Sequence, residues 1–393
     1  MENSITQIDY TYKFRLYPNS EQEIRLNQHF GCVRWCYNYF LNNRIDHYKN
    51  SKEQELQKKS LNYFDDCKML TNLKKENKWL SEAIGQSLQH SLKHLDSAYN
   101  RFFKKLAKFP KFKKKNNNQS FRIPQSIEIK NNKLYIPKFK EGIKIKLHRT
   151  IEGVIRNATI TKNCSGQYHA CISVQRNINK DKDNDKTIGI DLGIKTLATC
   201  SDGTIFKNIK PYISLEKRRK LLAKNLSRTI KQSKGREKAR IKLAKLDNKI
   251  HNIRQDHLHK ISHKIVSENQ TIIMENLNIN GMMKNRKLSK SIQDCSLSEL
   301  VRQIKYKSTW HGREFIQVSR WFPSSKTCNK CSYINDNLTL NDREWECPRC
   351  KILLDRDLNA SLNIKQQGLN ELNRGDHGDS CLPQCKTFIK NKG

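Results

Sequence analysis

The amino-acid sequence predicts an α+β protein of several domains, in which a helical region, a β-rich region and an α/β region follow one another. Three observations predict this class. The 393 residues exceed the usual size of one domain. Apolar and aromatic residues are spaced as in helices over about 20–106 and as in short strands over about 120–176. Beyond the polar stretch 177–186, apolar strands alternate with long helices.

The first predicted elements are a strand and a helix. Residues 9–17 alternate aromatic or apolar side chains with polar ones, as a strand does, and Pro18 ends the alternation. Ser20 and Glu23 have the spacing of a capping box, which predicts that a helix starts there. Repeated aromatic and leucine side chains then predict the core of a helix bundle: Trp35, Tyr37, Tyr39, Phe40 and Leu41.

A strongly basic run follows the helices at residues 101–115, which hold eight Lys or Arg and no acid, with interleaved phenylalanines. A solvated charged face is the usual reason for such a run. Here the phenylalanines could stack on bases or simply anchor the segment, and we predict contact with a nucleic acid.

Short β runs occupy about 120–176, including 133–136, 142–147 and 168–174. Their spacing, with turn residues between them, predicts a small antiparallel barrel. Residues 177–186 are polar and predict an exposed linker at a domain boundary.

The second half of the chain begins with a strand at 187–192 and a second strand at 196–200, followed by the hairpin-turn residues 201–203. Residues 214–265 predict a pair of long helices and hold 17 Lys and Arg against four Asp and Glu. The outer face of this pair is a second candidate surface for phosphates. Apolar residues that step by three and four predict its packed face: Leu243, Leu246, Ile250 and Ile253.

Charge is the strongest constraint from composition. Seventy-six Lys and Arg stand against 38 Asp and Glu, which gives a formal net charge of +38. Self-repulsion of this size destabilises a compact chain unless a polyanion neutralises it, and a long nucleic acid fits best. A basic protein that merely stays soluble is the alternative. No apolar run approaches the ~20 residues that span a bilayer, and the N-terminus lacks signal-peptide features. We therefore expect a cytoplasmic protein without a membrane partner, associated with the nucleoid if the host is bacterial.

Four of the thirteen cysteines form two Cys-x-x-Cys pairs separated by fifteen residues: Cys328, Cys331, Cys347 and Cys350. Two such pairs complete a tetrahedral zinc site, and four thiolates leave no open position, so the zinc is predicted to be structural. We expect the residues between the pairs to form a hairpin. An odd number of cysteines without a secretory signal argues against disulfides and for a reducing compartment.

Another set of residues resembles a third half-site. It lies in the segment 371–393, which we expect to be a disordered tail, and we interpret the set as incidental: His377, Cys381 and Cys385.

Acidic residues at three distant positions suggest a second metal site. Asp191 lies inside an apolar strand, where a carboxylate is costly unless it is paired or bound to metal. Glu275 closes the apolar strand 271–275, and Asp355 and Asp357 begin a predicted helix after the second cysteine pair. Taken singly, each acid is better interpreted as a cap or a salt bridge. Taken together in so basic a chain, they predict a pair of Mg²⁺ ions about 4 Å apart that hydrolyse phosphodiesters.

Several segments, in the order found along the chain, closely resemble the TnpB (OrfB) family. This family comprises transposon-encoded, RNA-guided DNA nucleases related to type V CRISPR effectors. The resemblance spans nearly the whole chain. It is carried by GIDLGIKTLAT at 189–199, IIMENLNI at 272–279, FPSSKTCNKC at 322–331 and DRDLNASLNI at 355–364, and also by KFRLYPNSEQ at 13–22 with Gly31, Arg34 and Asn38, and by FPKFKKK at 109–115.

The resemblance implies an RNase H-like nuclease domain of the RuvC type, interrupted by a zinc ribbon and preceded by a wedge-like β-barrel with an inserted helical recognition lobe. The implied boundaries are 1–19 and 117–180 for the barrel, 20–116 for the lobe, 184–325 and 353–370 for the nuclease domain with its basic hairpin 214–265, and 326–352 for the ribbon.

By motif, the three catalytic acids and Mg²⁺ ligands fall on Asp191, Glu275 and Asp357, with Asp355 as the alternative third acid. The implied activity is Mg²⁺-dependent cleavage of double-stranded target DNA, with sequence specificity supplied by a guide RNA. The alternatives are a transposase that joins DNA strands and a non-cutting RNA-guided regulator. His259 lies on a basic helix, where a histidine is more often a phosphate contact or a packed residue than a general base.

Overall fold

The computed structural model describes residues 5–53, 60–179, 184–339 and 342–374. These residues form two compact units. The N-terminal unit comprises residues 7–177 and 229–245. The C-terminal unit comprises residues 178–228 and the residues after 245, together with the first residues of the chain. No helix in the described ranges is both long enough and apolar enough to cross a bilayer.

The N-terminal unit consists of helices and a sheet that share one apolar core. The predicted capping box of its first long helix is displaced by one residue. The Asn19 side chain accepts from the Gln22 N–H at 2.8 Å, and the Gln22 side chain accepts from the Asn19 N–H at 3.2 Å. The elements are β1 (Ile5–Tyr17), α1 (Ser20–Glu53), α2 (Tyr63–Glu76), a 3-10 helix (Lys78–Glu82), α3 (Gly85–Phe103), β2 (Gln119–Ile123), β3 (Glu128–Lys130), β4 (Lys133–Ile136), β5 (Phe139–Lys146), β6 (Val154–Lys162) and β7 (Tyr168–Asn179).

The predicted barrel is wrong in one respect, because the sheet does not close. Its strand order is β2-β6-β7-β1-β5-β4-β3, and no pairing among the described residues joins the edge strands β2 and β3. The reason is that α1 covers the apolar face that opposite strands would cover in a barrel. The Phe30 ring on α1 packs 5.1 Å from Phe121 on β2, and His29 lies 5.5 Å from Phe139 on β5.

The helices of this unit are joined by a buried ion pair that the sequence analysis missed. Arg44 on α1 donates to Asp66 on α2 at 2.6 Å and reaches Asp96 on α3 at 3.3 Å. Of the predicted core residues of α1, Trp35 is only partly buried and Tyr39 is exposed. The other three are buried: Tyr37, Phe40 and Leu41.

The strands and helices predicted at 187–192, 196–200, 214–265 and 271–275 are present, and they belong to the C-terminal unit except for residues 229–245, which include the first part of α5. The last helix of this unit continues to Asn373, past the predicted start of the tail at 371; residues 375–393 lie outside the described ranges. The elements are β8 (Thr187–Leu192), β9 (Thr196–Cys200), β10 (Ile205–Lys207), α4 (Pro211–Ser227), α5 (Lys234–Glu268), β11 (Thr271–Glu275), α6 (Ile279–Met282), α7 (Ser289–Cys295), α8 (Leu297–Trp310), β12 (Glu314–Val318), β13 (Glu344–Glu346), β14 (Leu353–Asp355) and α9 (Arg356–Asn373).

The main sheet of this unit has the order β10-β9-β8-β11-β12. Strands β8, β9 and β10 form an antiparallel meander, whereas β8, β11 and β12 run parallel. Helix α9 lies directly on the sheet. A Cβ added at Gly189 would lie 2.2 Å from the carbonyl oxygen of Ser361, and one added at Gly368 would lie 2.4 Å from the Ile273 side chain. Glycine at these positions therefore allows the close approach that brings the start of α9 to β8.

Candidate metal centres and nucleic-acid interface

The four cysteines of the two Cys-x-x-Cys pairs come together in the C-terminal unit. Their sulfur atoms all lie within 4.8 Å of one another. The Sγ atoms of Cys328 and Cys350 are 3.6 Å apart, and those of Cys331 and Cys347 are 3.5 Å apart. This arrangement is compatible with one structural zinc ion, as the spacing predicts.

The described residues between the pairs, 332–339 and 342–346, do not form the predicted hairpin with one another. A bridge between Thr327 and Ile334 encloses the first pair, and the strands β13 and β14 pair on either side of the second. Each pair thus lies in its own small hairpin. A tight turn at each Cys-x-x-Cys requires only local pairing, so a long hairpin between them is not needed.

Two asparagines one turn apart on α9 attach the segment around the first cysteine pair to this helix. The Asn359 Nδ2 donates to the Thr327 carbonyl at 2.7 Å, and its Oδ1 accepts from the Asn329 N–H at 3.0 Å. The Asn363 Nδ2 donates to the carbonyls of Thr327 at 2.6 Å and Ser324 at 2.8 Å. Both asparagines are buried. Their spacing within DRDLNASLNI is the signal from which sequence reasoning could have found them.

Asp191 lies near the end of β8, between the buried residues Ile190 and Leu192. Burial raises the pKa of its carboxyl well above the ordinary value, and the negative charges of Glu275 and Asp357 raise it further. Three acids that are far apart in sequence therefore act on one another in the folded chain. A divalent cation would relieve the repulsion among them.

Glu275 is the last residue of β11 and is partly buried. Burial raises the pKa of its carboxyl, whereas a hydrogen bond from the Ser324 hydroxyl to Oε1 lowers it. Ser324 itself is 3% exposed. It lies inside the FPSSKTCNKC segment, yet sequence reasoning gave it no role.

Asp355 and Asp357 have different surroundings, although only one residue separates them. Asp355 is the N-cap of α9, and its Oδ1 accepts from the Leu358 N–H at 2.7 Å. Asp357 lies in the first turn, where its carboxylate pairs with Arg343 at 3.2 Å and lies 3.8 Å from Arg356. Of these two acids, it is Asp357 whose charge acts on Asp191.

The three acids fit a divalent metal site by chemistry, because they supply the carboxylate oxygens that Mg²⁺ prefers. Among the described residues, the four cysteines are the only group of three or more His, Cys, Asp or Glu side chains placed closely enough to hold one metal ion, and the three acids do not form such a group.

His259 is an exposed residue of α5. Hydrogen bonds from Arg302 and, more weakly, the charge of His259 lower the pKa of Glu299 on α8. The structure therefore gives His259 a neighbour on α8.

The basic run 101–115 lies in the N-terminal unit, where motif residues of α1 fix its end. Asn38 accepts from the Lys113 N–H at 2.8 Å and donates to the Lys113 carbonyl at 3.0 Å. The Lys113 ammonium also lies 3.9 Å from the centre of the Tyr37 ring.

The phenylalanines of this run could either anchor the segment or stack on bases, and they differ in exposure. Phe102 packs edge to face on Phe109 at 5.3 Å and anchors the segment, whereas Phe109 itself is 43% exposed. Phe103 is 72% exposed and Phe112 is 49% exposed, so both rings are available for stacking on bases.

One buried carboxylate, that of Asp294, bonds to both helices of the basic pair α4 and α5. The Asp294 carboxylate, from α7, accepts from the N–H groups of Tyr212 at 3.0 Å and Ile213 at 3.2 Å, and so caps α4. Arg254 on α5 pairs with the same carboxylate at 2.9 Å. Lysines along α5 are exposed and are candidates for contact with phosphates, among them Lys238, Lys242 and Lys249.

Three family models match the chain. One, described as "Probable transposase", matches residues 169–286. Another, described as "Cas12f1-like, TNB domain", matches 298–364. The third, described as a helix-turn-helix domain, matches 8–53. In this structure that last stretch forms strand β1 and the single helix α1.

Relatives and a solved structure match nearly the full length. A Streptomyces pristinaespiralis protein named "Putative RNA-guided DNA endonuclease" is 34% identical, over 94% of this chain and 92% of that protein. InsQ of Escherichia coli (strain K12), whose name carries the same description, is 28% identical over 95% of each chain. A chain from a cryo-EM structure of a Cas12f1–sgRNA–target DNA complex has a TM-score of 0.55 and 16% identity, and the match covers 91% of this chain and 99% of that chain. This last likeness concerns the fold alone. The identity with the full-length relatives and the segments at 189–199, 272–279, 322–331 and 355–364 show that the chain belongs to the TnpB (OrfB) family.

Proposed function

We propose that this protein is an RNA-guided, Mg²⁺-dependent DNA endonuclease whose site consists of Asp191, Glu275 and Asp357. The observation that carries the proposal is the meeting of three acids: Asp191 and Glu275 follow the paired residues Ile190 and Met274 of the neighbouring parallel strands β8 and β11, and Asp357 begins the helix α9 that packs on β8. Such a cluster of carboxylates is unfavourable without a cation, and it lies in a chain with a net charge of +38. Nucleic acid is the substrate that this charge favours.

Several features support an assignment of domains and partners. An antiparallel meander joined to two parallel strands is the arrangement expected of an RNase H-like domain, and we assign this domain to 184–325 and 353–370 with a zinc ribbon at 326–352. The sheet and helices of the N-terminal unit are proposed to be the wedge and recognition lobes. The names of the full-length relatives support a guide RNA and target DNA as partners.

The proposed chemistry divides between the acids and the cysteines. When bound, Mg²⁺ activates a water molecule and stabilises the leaving oxygen of a phosphodiester. Asp191, Glu275 and Asp357 would supply its oxygen ligands, and the cysteines would hold a zinc ion that has no open position for a substrate. Arg and Lys of the two basic surfaces would hold the phosphate backbone, and base pairing with the guide would select the sequence.

The direct test is cleavage of a guide-matched DNA duplex by the protein–RNA complex carrying Asp191→Asn, Glu275→Gln or Asp357→Asn. Each variant should lose on the order of 1000-fold in rate, because metal stabilisation of the transition state is worth several kcal/mol. RNA binding should persist. Retained cleavage by all three variants would overturn the proposal.

Asp355→Asn is the matched control, because asparagine replaces the carboxylate and still caps a helix. We expect its cleavage rate to be unchanged. Loss of cleavage in Asp355→Asn with retention in Asp357→Asn would move the third ligand to Asp355.

The same assay separates the alternative functions. Joined products formed when transposon ends are supplied would favour a strand-transferring transposase. Guide-dependent DNA binding without any Mg²⁺-dependent cleavage would favour a non-cutting regulator.

A further inference from the structure

The loop between β12 and the first cysteine pair connects the two candidate metal centres. Within this loop, Ser324 is 3% exposed and donates its hydroxyl to Oε1 of Glu275. The bond joins the end of β11 to a residue four positions before Cys328. The loop therefore contacts one of the proposed catalytic acids through a buried side chain.

Helix α9 fixes the backbone of the same loop. The Asn363 Nδ2 donates to the Ser324 carbonyl at 2.8 Å and to the Thr327 carbonyl at 2.6 Å. Asn359 donates to the Thr327 carbonyl and accepts from the N–H of Asn329, which lies between Cys328 and Cys331. Both asparagines are buried, so their amides are held away from competing water.

The connected groups form one chain of hydrogen bonds. It runs from the backbone between the first two cysteines, through the Asn359 and Asn363 amides, to the Ser324 backbone and hydroxyl and then to Glu275. The helix at its centre also carries Asp357 in its first turn. A shift of the cysteine cluster would therefore move the group that holds Glu275.

We propose that Ser324 is a positioning residue that orients the Glu275 carboxylate for its cation, and that Asn359 and Asn363 couple this orientation to the zinc ribbon. The proposal rests on the proposed function. A glutamate side chain has several rotatable bonds, and fixing one of its oxygens before an ion binds reduces the entropy lost on coordination. Groups that hydrogen-bond to metal ligands typically contribute 10–100-fold to metal affinity or activity.

The test measures binding of Mn²⁺, as a spectroscopic substitute for Mg²⁺, to the protein–RNA complex by electron paramagnetic resonance. Ser324→Ala should weaken Mn²⁺ binding relative to the unmodified protein by on the order of tenfold, with one zinc per chain retained and the melting temperature little changed. Cleavage should then require more Mg²⁺ to reach half its maximal rate. Ser324→Thr, which restores the hydroxyl, should recover the affinity.

Ser325→Ala is the matched control. It removes the neighbouring hydroxyl, which is less buried than that of Ser324, and should leave Mn²⁺ affinity unchanged. Asn363→Ala should also weaken Mn²⁺ binding, because it removes the hydrogen bond to the Ser324 carbonyl. If Ser324→Ala binds Mn²⁺ as tightly as the unmodified protein, the positioning role is overturned, whether or not Ser324→Thr folds.

Glu275→Gln separates this inference from the proposed function. If Glu275→Gln binds Mn²⁺ as well as the unmodified protein, the acid site itself is wrong. If Glu275→Gln loses Mn²⁺ whereas Ser324→Ala does not, the acid site stands and only the role of Ser324 is rejected.

Discussion

The two candidate metal centres of the C-terminal unit are built in opposite ways. The cysteine cluster takes all its ligands from residues 328–350, and its sulfur atoms lie within 4.8 Å of one another. The acid site takes its residues from positions 191, 275 and 357, on β8, β11 and α9. The first depends on two local turns, whereas the second exists only when a parallel sheet and a covering helix have assembled. Local ligand spacing can thus define one site, and tertiary packing must define the other.

The acid site also brings negative charges close together. In the acid site, burial and neighbouring carboxylates raise the pKa of Asp191 well above its ordinary value. The packing of α9 on β8 must therefore offset the unfavourable free energy of placing these acids near one another. The following predictions test whether the two centres can be disrupted separately.

The largest effect is expected from removing one thiolate of each cysteine pair, in Cys328→Ser with Cys347→Ser. Structural zinc contributes roughly 10–16 kcal/mol in zinc-finger peptides, more than a segment as small as 326–352 can replace by packing. Zinc content should fall well below one per chain, and protease cleavage within 326–352 should increase. Cys164→Ser, which changes a cysteine outside the cluster, should retain one zinc. A double variant that still holds one zinc per chain would contradict the assignment.

A smaller effect is expected where helix and sheet touch, in Gly189→Ala. The added Cβ would lie 2.2 Å from the Ser361 carbonyl oxygen and 2.6 Å from the Lys365 nitrogen, so α9 must move. Overpacking of this kind costs on the order of 1–3 kcal/mol, which a denaturant titration measures. Cleavage should fall as well, while zinc content stays at one.

Gly235→Ala is the control for this substitution. Its Cβ would meet only the Ser233 side chain at 3.7 Å, within helix α5. Alanine there should be neutral or slightly stabilising. Equal effects of the two substitutions would show that the approach of α9 to β8 has no special importance.

The smallest effect is expected from pH in the absence of divalent cations. Because the pKa of Asp191 is raised in the folded state, the folded chain holds a proton that the unfolded chain releases near the ordinary value of 3.8. The contribution of Asp191 to the free energy of unfolding should therefore fall as pH rises through the range between the two pKa values. The melting temperature of the unmodified protein, measured relative to that of Asp191→Asn, should fall over this range. Mg²⁺ should oppose it by binding the folded carboxylates. A melting temperature that rises with pH in this range, equally in both proteins, would contradict the account.

Sequence patterns predicted the parts of this molecule that depend on neighbouring residues. The spacing of the cysteines, the strands around Asp191 and Glu275, and the long helices of 214–265 follow from local periodicity, and the structure contains them. The start of α1 was also predicted, but Asn19 and Gln22 form the capping box in place of Ser20 and Glu23. Two adjacent residues able to cap a helix cannot be distinguished from spacing alone.

The remaining features depend on tertiary packing between distant segments of the chain. The sheet of the N-terminal unit stays open because α1 fills the space that a closed barrel would enclose, and strand patterns do not contain this information. Likewise, Ser324 is one of two adjacent serines in FPSSKTCNKC, and only the fold shows which hydroxyl reaches Glu275. The ion pair of Arg254 with Asp294 also joins residues that are far apart in sequence, so local patterns do not predict it.

The central claim is that Asp191, Glu275 and Asp357 share divalent cations, and locating those cations tests it most directly. Crystals of the protein–RNA complex soaked in Mn²⁺ would reveal the ions through their anomalous scattering. The account predicts peaks within coordination distance of carboxylate oxygens from all three residues, and their disappearance in Asp191→Asn. Peaks elsewhere, or none in a crystal soaked at saturating Mn²⁺, would contradict it.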